Sequence, residues 1–152
     1  MNAVIAEAQH EGVTMTSASA ASTSTPNNLN GKRFGLAVLA AIILNLIAYA
    51  IGSVAGASWI ANGQDITWIM VILATVFPMA VGGAITYLLA RRSGKATNVM
   101  AWIGLVFGIV TVPAPLFSAE NAAAGMALAS MHVITGVVWF FAVRPGRAVA
   151  AG

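Results

Sequence analysis

The 152 residues are 59% hydrophobic and only 7% charged, where a soluble domain carries about a quarter charged residues, and they include no cysteine. A chain of this length makes one domain, and so few charges exclude an ordinary water-soluble globule. Disulfides, thiolate metal sites, CxxC redox centres and cysteine nucleophiles are excluded too, while the net charge of +3 leaves nucleic acid open until the basic residues are placed.

Residues 1–31 come first and differ from the rest. Thr14–Thr25 is dominated by Ser, Thr and Ala, and Pro26 with Asn27 and Asn28 stops any helix. Such a segment buries too little apolar surface to offset its ordering entropy, so a disordered tail is expected. Met15 would serve as a start as well as Met1.

Uncharged stretches of 31, 25, 24 and 23 residues follow, bounded by Arg33, Asp65, Arg91, Lys95, Glu120 and Arg144. About 20 apolar residues of helix cross roughly 30 Å of hydrocarbon, so each stretch holds one crossing. The chain reads as an all-α, integral membrane four-helix bundle. Its transmembrane domain covers residues 32–147, with helices near 34–57, 66–90, 98–117 and 121–143, and residues 148–152 form a short second tail.

The first helix carries Ala41, Asn45, Ala48, Gly52 and Gly56 along one face and ends in a GxxxG. Helices in lipid associate through such small residues, because lipid is as apolar as leucine. Ala55-Gly56-Ala57 resembles a signal-peptide cleavage site, but the hydrophobic stretch exceeds the usual 7–15 residues and is read as retained. In the second helix the small row is Ala74, Pro78, Gly82 and Thr86, with Pro78 as a kink.

Ala101, Gly104 and Gly108 line the third helix, which then meets Pro113 and Pro115. Two prolines remove two donors and free the carbonyls of Ile109 and Thr111, so regular helix is expected to end or bend near Val112. Residues 113–118 are then kinked or irregular. Such backbone either ends the helix at the headgroups or lines a cavity, as in some transporters.

The fourth helix has Gly125, Ala129, His132 and Gly136 on one face. His132 lies at the middle of its span, where an ionisable group is rare and costly. It could relay protons, sense pH or bind a metal, or simply fix helix register by a hydrogen bond across the bundle. Asn45, at the middle of the first helix, is the expected partner.

Lys32, Arg33, Arg91, Arg92, Lys95, Arg144 and Arg147 all fall on one side of a four-span chain, and the other side has none. The positive-inside bias puts both termini in the cytoplasm of a bacterial plasma membrane. Trp59 and Trp68 are expected at the outer interface, with Tyr87, Trp102 and Trp139 nearer the inner one. The basic residues are thereby explained as topology signals, and nucleic acid drops out as a partner.

Pro113-Ala-Pro-Leu-Phe-Ser118, a short acidic loop and Ala127-Leu-Ala-Ser-Met-His132 with its apolar continuation resemble a family of small actinobacterial membrane proteins of unknown function. The likeness covers residues 32–145. It implies four spans, a proline-containing third helix and a Met-His pair in the fourth. It implies no activity.

No HExxH, GxSxG or P-loop occurs, and no carboxylate lies within a span. We therefore expect no enzyme, no catalytic residue, no metal and no cofactor. A structural or interaction subunit is the first reading, with the lipid bilayer as its surroundings and packing faces that also suit a homo-oligomer or another membrane protein. A small transporter or channel with a path near His132 and Asn45 is the second. A haem protein pairing two copies of His132 in a dimer is the third.

Overall fold

The computed structural model describes residues 30–145. The expected N-terminal tail up to residue 29, the C-terminal segment with Arg147 and the choice between Met1 and Met15 lie outside the described residues. In chain order come α1 (Gly31–Val54), β1 (Ile60–Ala61), β2 (Gln64–Asp65), α2 (Trp68–Ala90), α3 (Ala96–Val110), α4 (Pro113–Ser118) and α5 (Ala122–Val143). α3 and α4 together make one span, Ala96–Ser118, and with α1, α2 and α5 they give four segments long and apolar enough to cross a membrane.

Side-chain caps set most helix starts. Asn30 Oδ1 accepts from Arg33 N at 3.2 Å, Thr67 Oγ1 from Met70 N at 3.3 Å and Asn121 Oδ1 from Ala124 N at 2.9 Å. These caps satisfy amides that have no partner within the helix. The first helix accordingly begins at Gly31, earlier than the apolar pattern suggests, and the second begins only after Thr67.

The first helix also stops early. Gly56 takes φ +82°, Ala57 N donates to Gly52 O at 2.9 Å and Gly56 N to Ser53 O at 3.2 Å. This is a Schellman motif, with glycine supplying the left-handed residue. Gly56 is therefore a helix stop, and the expected GxxxG loses its second glycine as a packing position.

The connection from α1 to α2 is a β-hairpin that the span arithmetic leaves as plain loop. Asn62 (φ +52°) and Gly63 (φ +72°) form its tip, a type I′ pattern, and Ile60 pairs with Asp65 while Ala61 pairs with Gln64. Ala61 also bridges Ala119, with Asn62 N donating to Ser118 O and Glu120 N to Ile60 O, both at 2.9 Å. The side chain of Asn121 adds a bond from Nδ2 to Gly56 O at 2.9 Å. One small sheet thus ties the first connection to the third.

The helices alternate in direction, and α5 is flanked by α1 and α3, with α2 completing the bundle against the same two. α5 also carries the longest buried set, from Ala124 to Val143. Toward the basic end Ala41, Met79, Ala101, Trp139, Phe140, Ala142 and Val143 form the core. Toward the hairpin end Ala48, Val71 and Met131 pack together. The outward faces are dominated by large apolar side chains, as lipid requires.

Trp139 departs from its expected place at the interface. It is only 6% exposed. Its indole occupies a slot where a methyl group at either Gly82 or Gly104 would overlap it, and its Nε1 donates to Met100 O at 2.8 Å. Deep burial is tolerated because that donor finds a carbonyl. Trp68, Tyr87 and Trp102 remain about half exposed on the lipid side. Trp59 folds back over α1, stacked on Tyr49 with ring centroids 4.0 Å apart. Its φ of +54° is unusual for a bulky side chain, and the indole bond to Ser53 Oγ at 2.9 Å helps to hold it.

Candidate functional site

In lipid the informative residues are the polar ones, since each must find a partner inside the protein. α1 buries Ala41, Asn45, Ala48 and Gly52, the face expected from their spacing. On α2 the buried row is Val71, Thr75, Met79 and Gly83, one residue along from the expected Ala74, Pro78, Gly82 and Thr86, of which only Thr86 is buried. The shift brings Thr75 to the centre.

Asn45 is 2% exposed, and its Nδ2 donates to Thr75 Oγ1 at 2.9 Å and to Thr135 Oγ1 at 3.0 Å. Thr75 gives its own proton to Val71 O at 2.7 Å, so its oxygen must accept, which fixes the orientation of the amide. Asn45 therefore clamps α1, α2 and α5 together. The expected Asn45–His132 hydrogen bond is replaced: both amide protons go to threonines, one of them a turn along α5 from His132. Asn45 Oδ1 is buried without a partner, as is Thr97 Oγ1 at the start of α3.

His132 instead meets the break in the third span. Its Nδ1 lies 3.0 Å from Thr111 Oγ1, and the same oxygen lies 2.8 Å from Phe107 O and 3.2 Å from Gly108 O. With its single proton directed to those carbonyls, Thr111 accepts from Nδ1–H of His132, and Nε2 is left as the acceptor. Two features that are separate in the sequence, the central histidine and the proline break, are thus one site.

The break itself is milder than expected. α3 ends at Val110, but helix resumes at Pro113 and continues to Ser118, so residues 113–118 are helical and not irregular. Pro113 and Pro115 occupy the first turn of a new helix, where a missing N–H costs nothing. The carbonyls they free are recovered: Ile109 O accepts from Val112 N at 3.1 Å and Thr111 O from Ala114 N at 3.2 Å. Pro78 does not break its helix at all. α2 runs through it, with the proline on the exposed side.

Close backbone approach holds this region rigid. A Cβ at Gly108 would lie 2.8 Å from His132 O and 2.9 Å from Gly136 Cα, so the backbones of α3 and α5 meet here because both positions are glycine. Among the described residues no group of three or more His, Cys, Asp or Glu side chains is placed to hold a metal.

Sequence reasoning overlooked Thr75, Thr111 and Thr135 as the polar partners, because threonine is unremarkable in a membrane helix. It also overlooked the hairpin, whose Asn62-Gly63 tip is a readable turn signal. Comparison with curated proteins and with solved structures gives no match. A model of a family of unknown function, DUF6069, matches residues 24–149, and four apolar helices joined through this polar centre are what its architecture looks like in this chain. The chain is a four-span membrane protein belonging to the DUF6069 family.

Proposed function

We propose that the protein is a non-enzymatic structural or interaction subunit of an actinobacterial plasma membrane, with both termini in the cytoplasm. The observation that carries this reading is the use of the central polar groups on one another. The Asn45 amide serves two threonines, Thr111 serves His132, and glycine contacts close the space between α3 and α5. A polar centre built this way sets helix register and leaves the outward faces to meet lipid, a second copy or another membrane protein.

Transport along a path near His132 and Asn45 is the second reading. It is favoured by one observation, the unpartnered Asn45 Oδ1 at the middle of the bundle. Proteoliposomes loaded with pH-sensitive and cation-sensitive dyes separate the two. The first reading expects flux no greater than in protein-free vesicles. A flux abolished by His132→Ala in a folded protein would establish the second.

A further inference from the structure

The described Lys and Arg side chains all lie at one end of the bundle, and the two described acids, Asp65 and Glu120, lie at the other. A topology signal needs charge on the correct side and nothing more. Three of these cations have more than that: the Arg91 guanidinium lies 6.0 Å from the Tyr87 ring of its own helix, while those of Arg33 and Arg144 are both held by α5. Arg33, in the first turn of α1, donates from its guanidinium to the carbonyl of Phe141 in the last turn of α5. That carbonyl is among the four that an α-helix leaves without an internal partner. Arg144, one turn further along, holds its guanidinium 5.2 Å from the centroid of the Phe140 ring.

We propose that Arg33 and Arg144 form a binding site for one anionic phospholipid at the seam between α1 and α5. A guanidinium carries five N–H donors in a planar fork suited to phosphate oxygens, and the Phe141 carbonyl uses only part of the one on Arg33. Lys32 adds a third positive charge beside it. Directly toward the membrane centre lie Leu36 and Phe141, 69% and 62% exposed, which offer apolar surface at the depth of the acyl chains. The helix dipoles do not oppose this, since the N-terminus of α1 sits beside the C-terminus of α5 and offsets it. The occupant is a diacyl lipid with a negatively charged phosphodiester headgroup, and a zwitterionic lipid with the same chains is the poorer ligand.

Native mass spectrometry of the full chain, released from mild detergent with added phosphatidylglycerol or phosphatidylcholine of matched chains, tests this. Phosphatidylglycerol should be retained in preference to phosphatidylcholine. Each cation near an anionic headgroup contributes about a factor of five, so R33Q/R144Q should bind phosphatidylglycerol about thirty-fold more weakly. R91Q/R92Q removes the same charge from the same end and should leave retention within about two-fold of the original. Should loss of the Arg33 contact unfold the double variant, R144Q alone must still weaken retention about five-fold. Equal retention of the two lipids by the unmodified chain, or equal losses in the two double variants, would overturn the site in favour of diffuse attraction.

Discussion

Thr111 Oγ1 and His132 Nδ1 lie 3.0 Å apart, and this contact fastens the interrupted third span to the middle of α5. Thr111 is also the residue whose hydroxyl takes up the Gly108 carbonyl, left over where α3 stops. The same side chain therefore repairs the break and anchors it. Thr111→Val keeps the shape and removes both roles. It should destabilise the protein by about 0.5–1.7 kcal/mol, the range for hydrogen bonds between membrane helices, while Thr111→Ser stays near the original. Thermal unfolding in detergent reads the difference, and equal stability of the two variants would show that the contact contributes nothing.

Asn45 holds three helices at once, so its effects should not be additive with those of its partners. Asn45→Ala is expected to cost about 1–3 kcal/mol, from two lost hydrogen bonds and the unfilled volume. In a double-mutant cycle with Thr75→Val the two changes should couple by about 0.6 kcal/mol or more. Independent effects, measured by unfolding of all four proteins, would contradict the geometry.

Glycine positions separate into packed and open ones. Gly104→Ala places a methyl group into the Trp139 ring and should cost about 1–3 kcal/mol as that ring is displaced. Gly108→Ala should cost more, because its neighbours are backbone atoms that cannot rotate away. At Gly35, where nothing lies within 4 Å, alanine should stabilise α1 by about 0.5–1 kcal/mol. The three variants form an ordered series in melting temperature, and any inversion would misplace the α3–α5 contact.

A chain without cysteine is a clean background for labelling. Gln64→Cys at the hairpin and Ser93→Cys in the α2–α3 turn both place an exposed thiol at opposite ends of the bundle. A membrane-impermeant maleimide applied to intact cells should modify the first and spare the second. In inside-out vesicles the pattern should reverse, as the proposed orientation with the basic end in the cytoplasm requires. Labelling of Ser93→Cys in intact cells would invert the orientation.

The number of spans could be read from charge spacing because each charge is expelled from hydrocarbon whatever its neighbours. The inward face of α1 was readable too, since its small residues fall in one row, Ala41 to Gly52, opposite large ones. α2 was not, because its small residues Ala74, Pro78 and Gly82 lie on the face beside the buried one, which carries Val71 and Met79 instead. Lipid and protein interior are equally apolar, so composition alone cannot choose between two such faces. The choice is made by Thr75, whose oxygen needs a donor and finds it on Asn45. The same reasoning explains the partner of His132. A single polar atom specifies that a bond is needed, whereas which atom supplies it depends on helix rotation, which no local pattern encodes.

The sheet that joins Ile60, Ala61 and Ala119 constrains how the bundle can move. With the first and third connections zipped together and Asn121 bonded back to Gly56, the two helical pairs cannot separate at that end without losing backbone pairing. The opposite end is held differently, by the α2–α3 turn, the grip of Arg33 on Phe141, the bond from Trp139 to Met100 O and the buried cluster around Trp139 and Phe140. Parting the helices at the basic end means unpacking side chains, whereas at the hairpin end it also means breaking strand pairing.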